Sequence, residues 1–289
     1  MNFSRLLLLG AAAASIVGCG SSSDTTLVAP DPAALVRFVN AVPDTGFMDF
    51  RFTDAVEGVP STPFVNLAFR DGFDRAYQRI NVGTHHVRVF MGSANVGPSG
   101  SINDPAVVST VMADTTFTFA LGAHYTFVFY GSARAGTQKF LIVTDPLGPA
   151  PAGNFSLRAA NFTAVNQEVY VNSGTAALTT VSGSANWNVG PLGVTDYGNF
   201  TLAPAGSNYV VSSADAGTVT PVRSTVMPVG VAAVAEVPGV SPALAAIAGS
   251  RIGGVFTAYI FPASSPGSKA PQTAAFTNPA IVLQVDKQP

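Results

Sequence analysis

One run of features occurs twice along this chain, in the same order, and that restricts the fold before any single residue is interpreted. Arg37-Phe38-Val39-Asn40-Ala41 returns loosely as Arg158-Ala159-Ala160-Asn161-Phe162, and Phe50-Arg51-Phe52 meets Val169-Tyr170-Val171. Gly83-Thr84-His85-His86-Val87 is answered by Gly206-Ser207-Asn208-Tyr209-Val210, and Ser109-Thr110-Val111-Met112 recurs unchanged as Ser224-Thr225-Val226-Met227. Tyr125-Thr126 then pairs with Phe256-Thr257, and Phe140 to Asp145 with Ile281 to Asp286. Matches kept in one order imply a tandem duplication. The first copy is expected over 34–145 and the second over 154–289. A stiff Pro/Gly/Ala linker, Pro146-Leu147-Gly148-Pro149-Ala150-Pro151-Ala152-Gly153, joins them.

Within each copy the apolar period is two. Phe117, Phe119 and Leu121 share a face, as do Tyr125, Phe127 and Phe129, and Val87, Val89 and Met91. Beta-branched and aromatic residues fill these runs, and Gly, Pro, Asn and Asp bound them. About seven such segments per copy fit a sandwich. The expectation is all-β: two tandem immunoglobulin-like antiparallel β-sandwich domains. Copy two carries an insert, Pro228 to Gly253. In it Ser241 as N-cap, Pro242 at the first turn and Gly249 at the end predict a short helix.

The N-terminus follows an export plan. Arg5 precedes an apolar stretch, Leu6 to Val17, of about twelve residues, where a membrane span needs about twenty. It ends Ile16-Val17-Gly18-Cys19, which resembles the lipobox of bacterial lipoproteins. The resemblance implies cleavage between Gly18 and Cys19, a signal peptide at 1–18 and acylation of Cys19. Two or more acyl chains hold a protein stably on a bilayer, where one holds it marginally. Gly20 stands where an aspartate would resemble an inner-membrane retention signal, so the outer membrane is expected. Residues 19–33 form a Ser/Thr/Asp/Pro tether reaching at most about 50 Å at roughly 3.4 Å per residue.

Cys19 is the only cysteine, so the body folds without disulfides and rests on buried apolar surface. A hydrophobic content of 47% with 10% charged residues raises the question of a membrane protein. The most apolar later stretch, Val229 to Ala248, is interrupted by Glu236, Pro238 and Pro242. Gly and Pro clusters also cut the chain below the strand lengths of a transmembrane barrel, and the body is read as soluble. A formal net charge of −2 gives no electrostatic ground for a nucleic-acid partner.

The opening Val36 to Asp44, followed by Met48-Asp49-Phe50, is similar to a bacterial family catalogued as domain of unknown function 4397. Its members begin R-x-x-N/H-A-x-P-D, continue with a V-D-V-like strand, and carry G-x-x-x-V-x-V and Y-T-x-x-x-x-G. Gly83 to Val89 and Tyr125 to Gly131 fit those two patterns. Copy two lacks the Pro-Asp and has Pro262 in place of the last glycine. The resemblance implies secreted or surface-anchored sandwich modules and supplies no active site.

No chemical motif stands out. Asp44-Thr45-Gly46 matches an aspartic-protease triplet, but that chemistry needs two carboxylates sharing a proton, and the counterpart Thr163-Ala164-Val165 has none. Pro43 to Gly46 reads as a turn. His85 and His86 are strand neighbours pointing to opposite faces, His85 a core-edge residue by parity, and His124 is read into a turn; none is assigned to metal or catalysis. Asp71-Gly72-Phe73-Asp74 reads as a hairpin tip rather than a calcium loop. Asn154, Asn161 and Asn199 sit in sequons read as chance in a bacterial chain. Trp187, flanked by Asn186 and Asn188 in a polar loop, is a candidate sugar platform or a ring folded back over the sandwich end.

The expected function is therefore non-catalytic, with no cofactor. A lipid-tethered pair of sandwiches meets an envelope glycan or protein, in the periplasm or at the surface, through end loops. Ser93 to Asp104 and Ser182 to Gly193 are the candidate segments. An envelope hydrolase with a site between the copies, and a pure spacer, are the alternatives.

Overall fold

Strand β1 (Ala33–Ala41) reads Ala-Ala-Leu-Val-Arg-Phe-Val-Asn-Ala and is buried on both faces from Val36 onward. A strand of that kind needs packed layers on either side, and the computed structural model supplies both. It describes residues 32–54, 64–72, 77–92, 110–148, 150–201, 208–230, 233, 246 and 251–288. The cleavage and lipidation residues Gly18 and Cys19, the tether up to 31, the segment Ser93 to Asp104, Phe73 and Asp74, and the helix expected from Ser241 lie outside the described residues.

In copy one, β3 (Gln78–Asn81), β1, β6 (His124–Tyr130) and β7 (Lys139–Thr144) lie side by side in that order. A second sheet places β2 (Met48–Phe52), β4 (Gly83–Met91) and β5 (Val111–Phe119) against it. Copy two repeats the plan. One sheet runs β11 (Gly198–Phe200), β8 (Phe155–Asn161), β14 (Val255–Phe261), β15 (Ala280–Lys287). Its companion runs β10 (Trp187–Val189), β9 (Gln167–Gly174), β12 (Asn208–Asp215), β13 (Arg223–Val226). One helical turn, α1 (Ala274–Thr277), precedes β15. The all-β sandwich class is thus observed, with one refinement: β1 pairs parallel with β6, and β8 parallel with β14, amid otherwise antiparallel ladders.

Each sandwich has its own core. Phe38 lies at the centre of the first, its ring 4.9 Å from Phe50, 5.1 Å from Phe64, 5.3 Å from Phe127 and 5.8 Å from Phe52. The second gathers Phe155, Leu157, Val169, Val211, Phe256 and Ile260. A third cluster joins the copies: Val39, Ala41, Phe69 and Val128 from the first meet Ala160, Phe162, Tyr259 and Phe261 from the second. The outward faces of β1 and β6 therefore pack on those of β8 and β14. Residues 32–289 form one compact unit as a result.

Two readings need correction. The identical Ser-Thr-Val-Met tetrads are not equivalent: Val111 begins β5, opposite Phe90, whereas Val226 ends β13, opposite Val210. Short polar and β-branched words recur in strands for reasons of propensity. His124 is not in the turn but opens β6, because its carbonyl accepts from the amide of Asp145 at 2.8 Å. Among the described residues no helix is long and apolar enough to cross a membrane.

Candidate functional site

Trp187 and Asn188 lie in the short strand β10, and the residues before them, 182–186, are loop. Trp187 faces Val169 in the β9–β10 ladder, and its half-buried indole meets the ring of Phe200 at 5.9 Å. Asn186 accepts the Val171 amide at 2.7 Å through its side chain, and its own amide donates to the Val169 carbonyl at 2.8 Å. Asn186 and Asn188 are exposed, and Trp187 between them is half-buried. One side of the indole thus packs at the edge of the second core. Three residues are too few to display an alternation, so the strand was invisible in the sequence.

The residues that carry the family resemblance make internal contacts. Asn40 donates to the Leu67 carbonyl at 2.9 Å and accepts from the Val42 amide, holding the chain after β2 on β1. Asn161 does the same in copy two, donating to Val189 and Val165 and accepting from Thr163. Asp44 accepts from Ser132 Oγ at 2.6 Å and from the amides of Ala133 and Arg134. Burial would raise its carboxyl, but these donors outweigh burial and hold it below the usual range. Gly131 has φ +106°, and a Cβ there would stand 2.5 Å from the Thr137 carbonyl oxygen, so only glycine fits.

Arg37 and its counterpart build the most charged arrangement in the interior. Arg37 donates from Nε to Thr126 Oγ1 at 2.8 Å and from Nη2 to Asp286 of the other copy. Arg158 donates from Nε to Thr257 Oγ1 at 2.9 Å and from Nη2 to Asp145. Each aspartate also accepts two hydroxyls from its own copy: Thr126 and Tyr77 (2.8 Å) donate to Asp145, Thr257 and Tyr197 (2.8 Å) to Asp286. Arg37 stacks over the Tyr77 ring at 4.4 Å and Arg158 over Tyr197 at 4.7 Å. The arrangement is reciprocal, neutral overall and buried. The duplicated Arg, Thr and Asp were visible as repeat markers, but not that they meet across copies. The two tyrosines were missed, and their signal is a recurrence 120 residues apart.

Protonation follows from this burial. Burial pulls Arg37 down, yet Tyr77 and Asp286 outweigh it and raise it well above the ordinary value; Arg158 is raised in the same way, by Asp145 and then Asp286. Burial raises the Tyr77, Tyr197 and Tyr259 phenols, the carboxylates adding to it and the guanidiniums opposing, with Tyr259 pushed up to about 12. A phenol whose folded pKa exceeds its unfolded value of about 10 contributes stability that is complete below that value and lost as pH rises through the folded one. Of the seven tyrosines, these three are expected to form tyrosinate only together with unfolding, followed by absorbance and circular dichroism in one alkaline titration. All seven ionising near pH 10 in a folded chain would contradict the geometry.

Other candidates sit apart from this centre. His85 packs on Phe52 and Phe119, its Nε2 at 2.9 Å from the Asn81 carbonyl and its Nδ1 at 3.4 Å from Asp54. His86 points the other way, to Asp114, which also accepts from Arg88 Nε at 2.8 Å. The Arg88 bond, then that of His86, holds exposed Asp114 below the usual carboxylate range. His124 stands edge-on to Tyr77 at 5.2 Å, and burial lowers its pKa. Among the described residues no histidine bonds both a carboxylate and a hydroxyl. Arg70, at φ 64°, donates to the carbonyls of Ala275 (2.9 Å), Asn278 (2.7 Å), Pro262 and Phe276, fixing α1 of copy two to copy one. Burial and neighbouring Arg223 lower it to about 10.

Comparison with known proteins adds a family over part of the chain. Residues 34–172 match the model of a domain of unknown function, DUF4397. The matched stretch holds copy one, the linker and the first two strands of copy two, so it includes the Asp145–Arg158 contact. No curated protein matches. Among solved structures, a streptococcal virulence factor described for alpha-glucan binding is 11% identical, covering 67% of this chain and 87% of that one at a TM-score of 0.22. Family 41 carbohydrate-binding modules from streptococcal virulence factors, described for alpha-glucan recognition, are 11% identical over 67% of this chain and 88% of theirs at 0.20. Scores of this size transfer neither a ligand nor a topology.

Proposed function

We propose that this chain is a non-catalytic module of a bacterial cell envelope, lipid-anchored through Cys19 after cleavage at Gly18, most simply on the outer membrane. One observation carries the non-catalytic part: the polar residues of the family pattern, Arg37, Asn40, Asp44 and Thr126, are all engaged inside the protein. Polar groups saturated by structural bonds are not poised for a substrate. The anchoring part rests on Ile16-Val17-Gly18-Cys19 at the end of an apolar export segment. End loops presented by a rigid body are the surface left for an envelope glycan or protein, and exposed Asn186 belongs to one of them.

Cys19→Ala is expected to move the protein from the membrane fraction to the soluble one, with the diacyl mass absent from its N-terminal peptide. A variant that stays in the membrane would refute the anchor. Pulldowns with residues 20–289 against envelope glycans and proteins test the binding role. Hydrolysis of an envelope polymer by that same fragment would revive the enzyme reading. Rescue of a deletion by an unrelated sandwich of equal length would favour the spacer.

A further inference from the structure

Strand β1 opens at Ala33, so the chain enters the first sandwich at the end where this strand opens. The Pro32 carbonyl accepts from the Val82 amide at 3.2 Å, and the Ala33 carbonyl from the Gly122 amide at 2.9 Å. Two tight turns therefore flank the entry point, the β3–β4 turn at Val82 and the β5–β6 turn at Leu121-Gly122. They are themselves adjacent, since Gly83 pairs with Phe119. Both present apolar side chains to solvent: Leu121 is 71% exposed and Val82 38%.

A leucine at the tip of a turn is an unusual choice, because turns favour Gly, Asn, Asp, Ser and Pro. Single exposed apolar residues need no explanation, but these two sit together where the chain enters. The segments around them, 77–84 and 118–124, contain no carboxylate, and Arg79 is their one fixed charge. Asp54, on the neighbouring strand's continuation, faces His85 at 3.4 Å. An end that is apolar at its tips suits the interfacial zone of a bilayer, where buried apolar area contributes to binding.

We infer that this end of the first sandwich lies against the lipid surface, with Val82 and Leu121 entering the headgroup–acyl boundary. The inference rests on the lipid-anchor reading above. From Cys19 to Pro32 the chain covers at most about 45 Å at roughly 3.4 Å per residue, so it permits this contact and also permits standoff. The exposed pair favours contact. Acylation would keep the body at the membrane, and the two side chains would set which way it faces.

The test uses the full-length acylated protein in vesicles of phosphatidylethanolamine and phosphatidylglycerol with brominated acyl chains. Leu121→Cys provides a free thiol for an environment-sensitive fluorophore, and Ala135→Cys, in the loop at the other end of β6, is the control. The expected result is a blue-shifted emission at 121, quenched at least twofold by bromine, with no quenching at 135. Co-sedimentation with vesicles but no quenching at 121, or equal quenching at both positions, overturns the inference and leaves the anchor intact. Failure of the unlabelled protein to co-sediment at all would overturn the anchor reading and the inference with it.

Discussion

Arg37→Ala is expected to lower the unfolding free energy by about 3–5 kcal/mol, the range for removing one partner of a buried ion pair. Asp286 would stay buried with only Thr257 and Tyr197 as donors, its cross-copy cation gone. Arg158→Ala should cost less, because Asp145 would keep Arg37 Nη2 at 3.9 Å besides its Thr126 and Tyr77 donors. The informative control replaces all four charges at once. Arg37→Met, Arg158→Met, Asp145→Leu and Asp286→Leu together leave no orphaned charge, and such wholesale replacement is often neutral or stabilising. Denaturant unfolding of the three variants measures the contrast. A loss under about 1 kcal/mol for Arg37→Ala would place its guanidinium in the exposed class and overturn the description of a dry contact.

A second large loss is expected at Phe38. Truncation to alanine should cost about 3–5 kcal/mol, because four aromatic rings stand within 6 Å of its own and strands on both sides limit collapse into the void. The denaturant midpoint should fall while the slope stays unchanged, since the surface exposed on unfolding barely alters. Phe38 and Arg37 are adjacent on β1 and face opposite ways, one into the first core and one toward copy two. The double variant should therefore be close to additive. A strong coupling between them would mean that the two faces do not report on separate contacts.

The strand content was legible because alternation over runs such as Tyr125 to Phe129 is unambiguous. The packing of one copy on the other was not. Val39, Ala41 and Val128 lie on the opposite parity from Phe38, Phe127 and Phe129, and small or β-branched residues there fit solvent and a second protein layer equally well. The Arg37–Asp286 bond spans 249 positions, beyond any local pattern. Parallel pairing of β1 with β6 was likewise hidden, because a strand's sequence does not encode its partner's direction. At the candidate site, Trp187 stands out between two asparagines, but the three-residue strand that holds it gives no signal.

The exchange of counterions between copies bears on inheritance. The carboxylate that each arginine hydrogen-bonds lies in the other half, Asp286 for Arg37 and Asp145 for Arg158, although Asp145 also stands 3.9 Å from Arg37 within copy one. A gene divided at the linker would yield two fragments, each with an apolar sheet face uncovered and an arginine whose hydrogen-bonded carboxylate is encoded elsewhere. A copy can therefore change freely on its outer sheet. On its inner sheet it must drift in step with its twin.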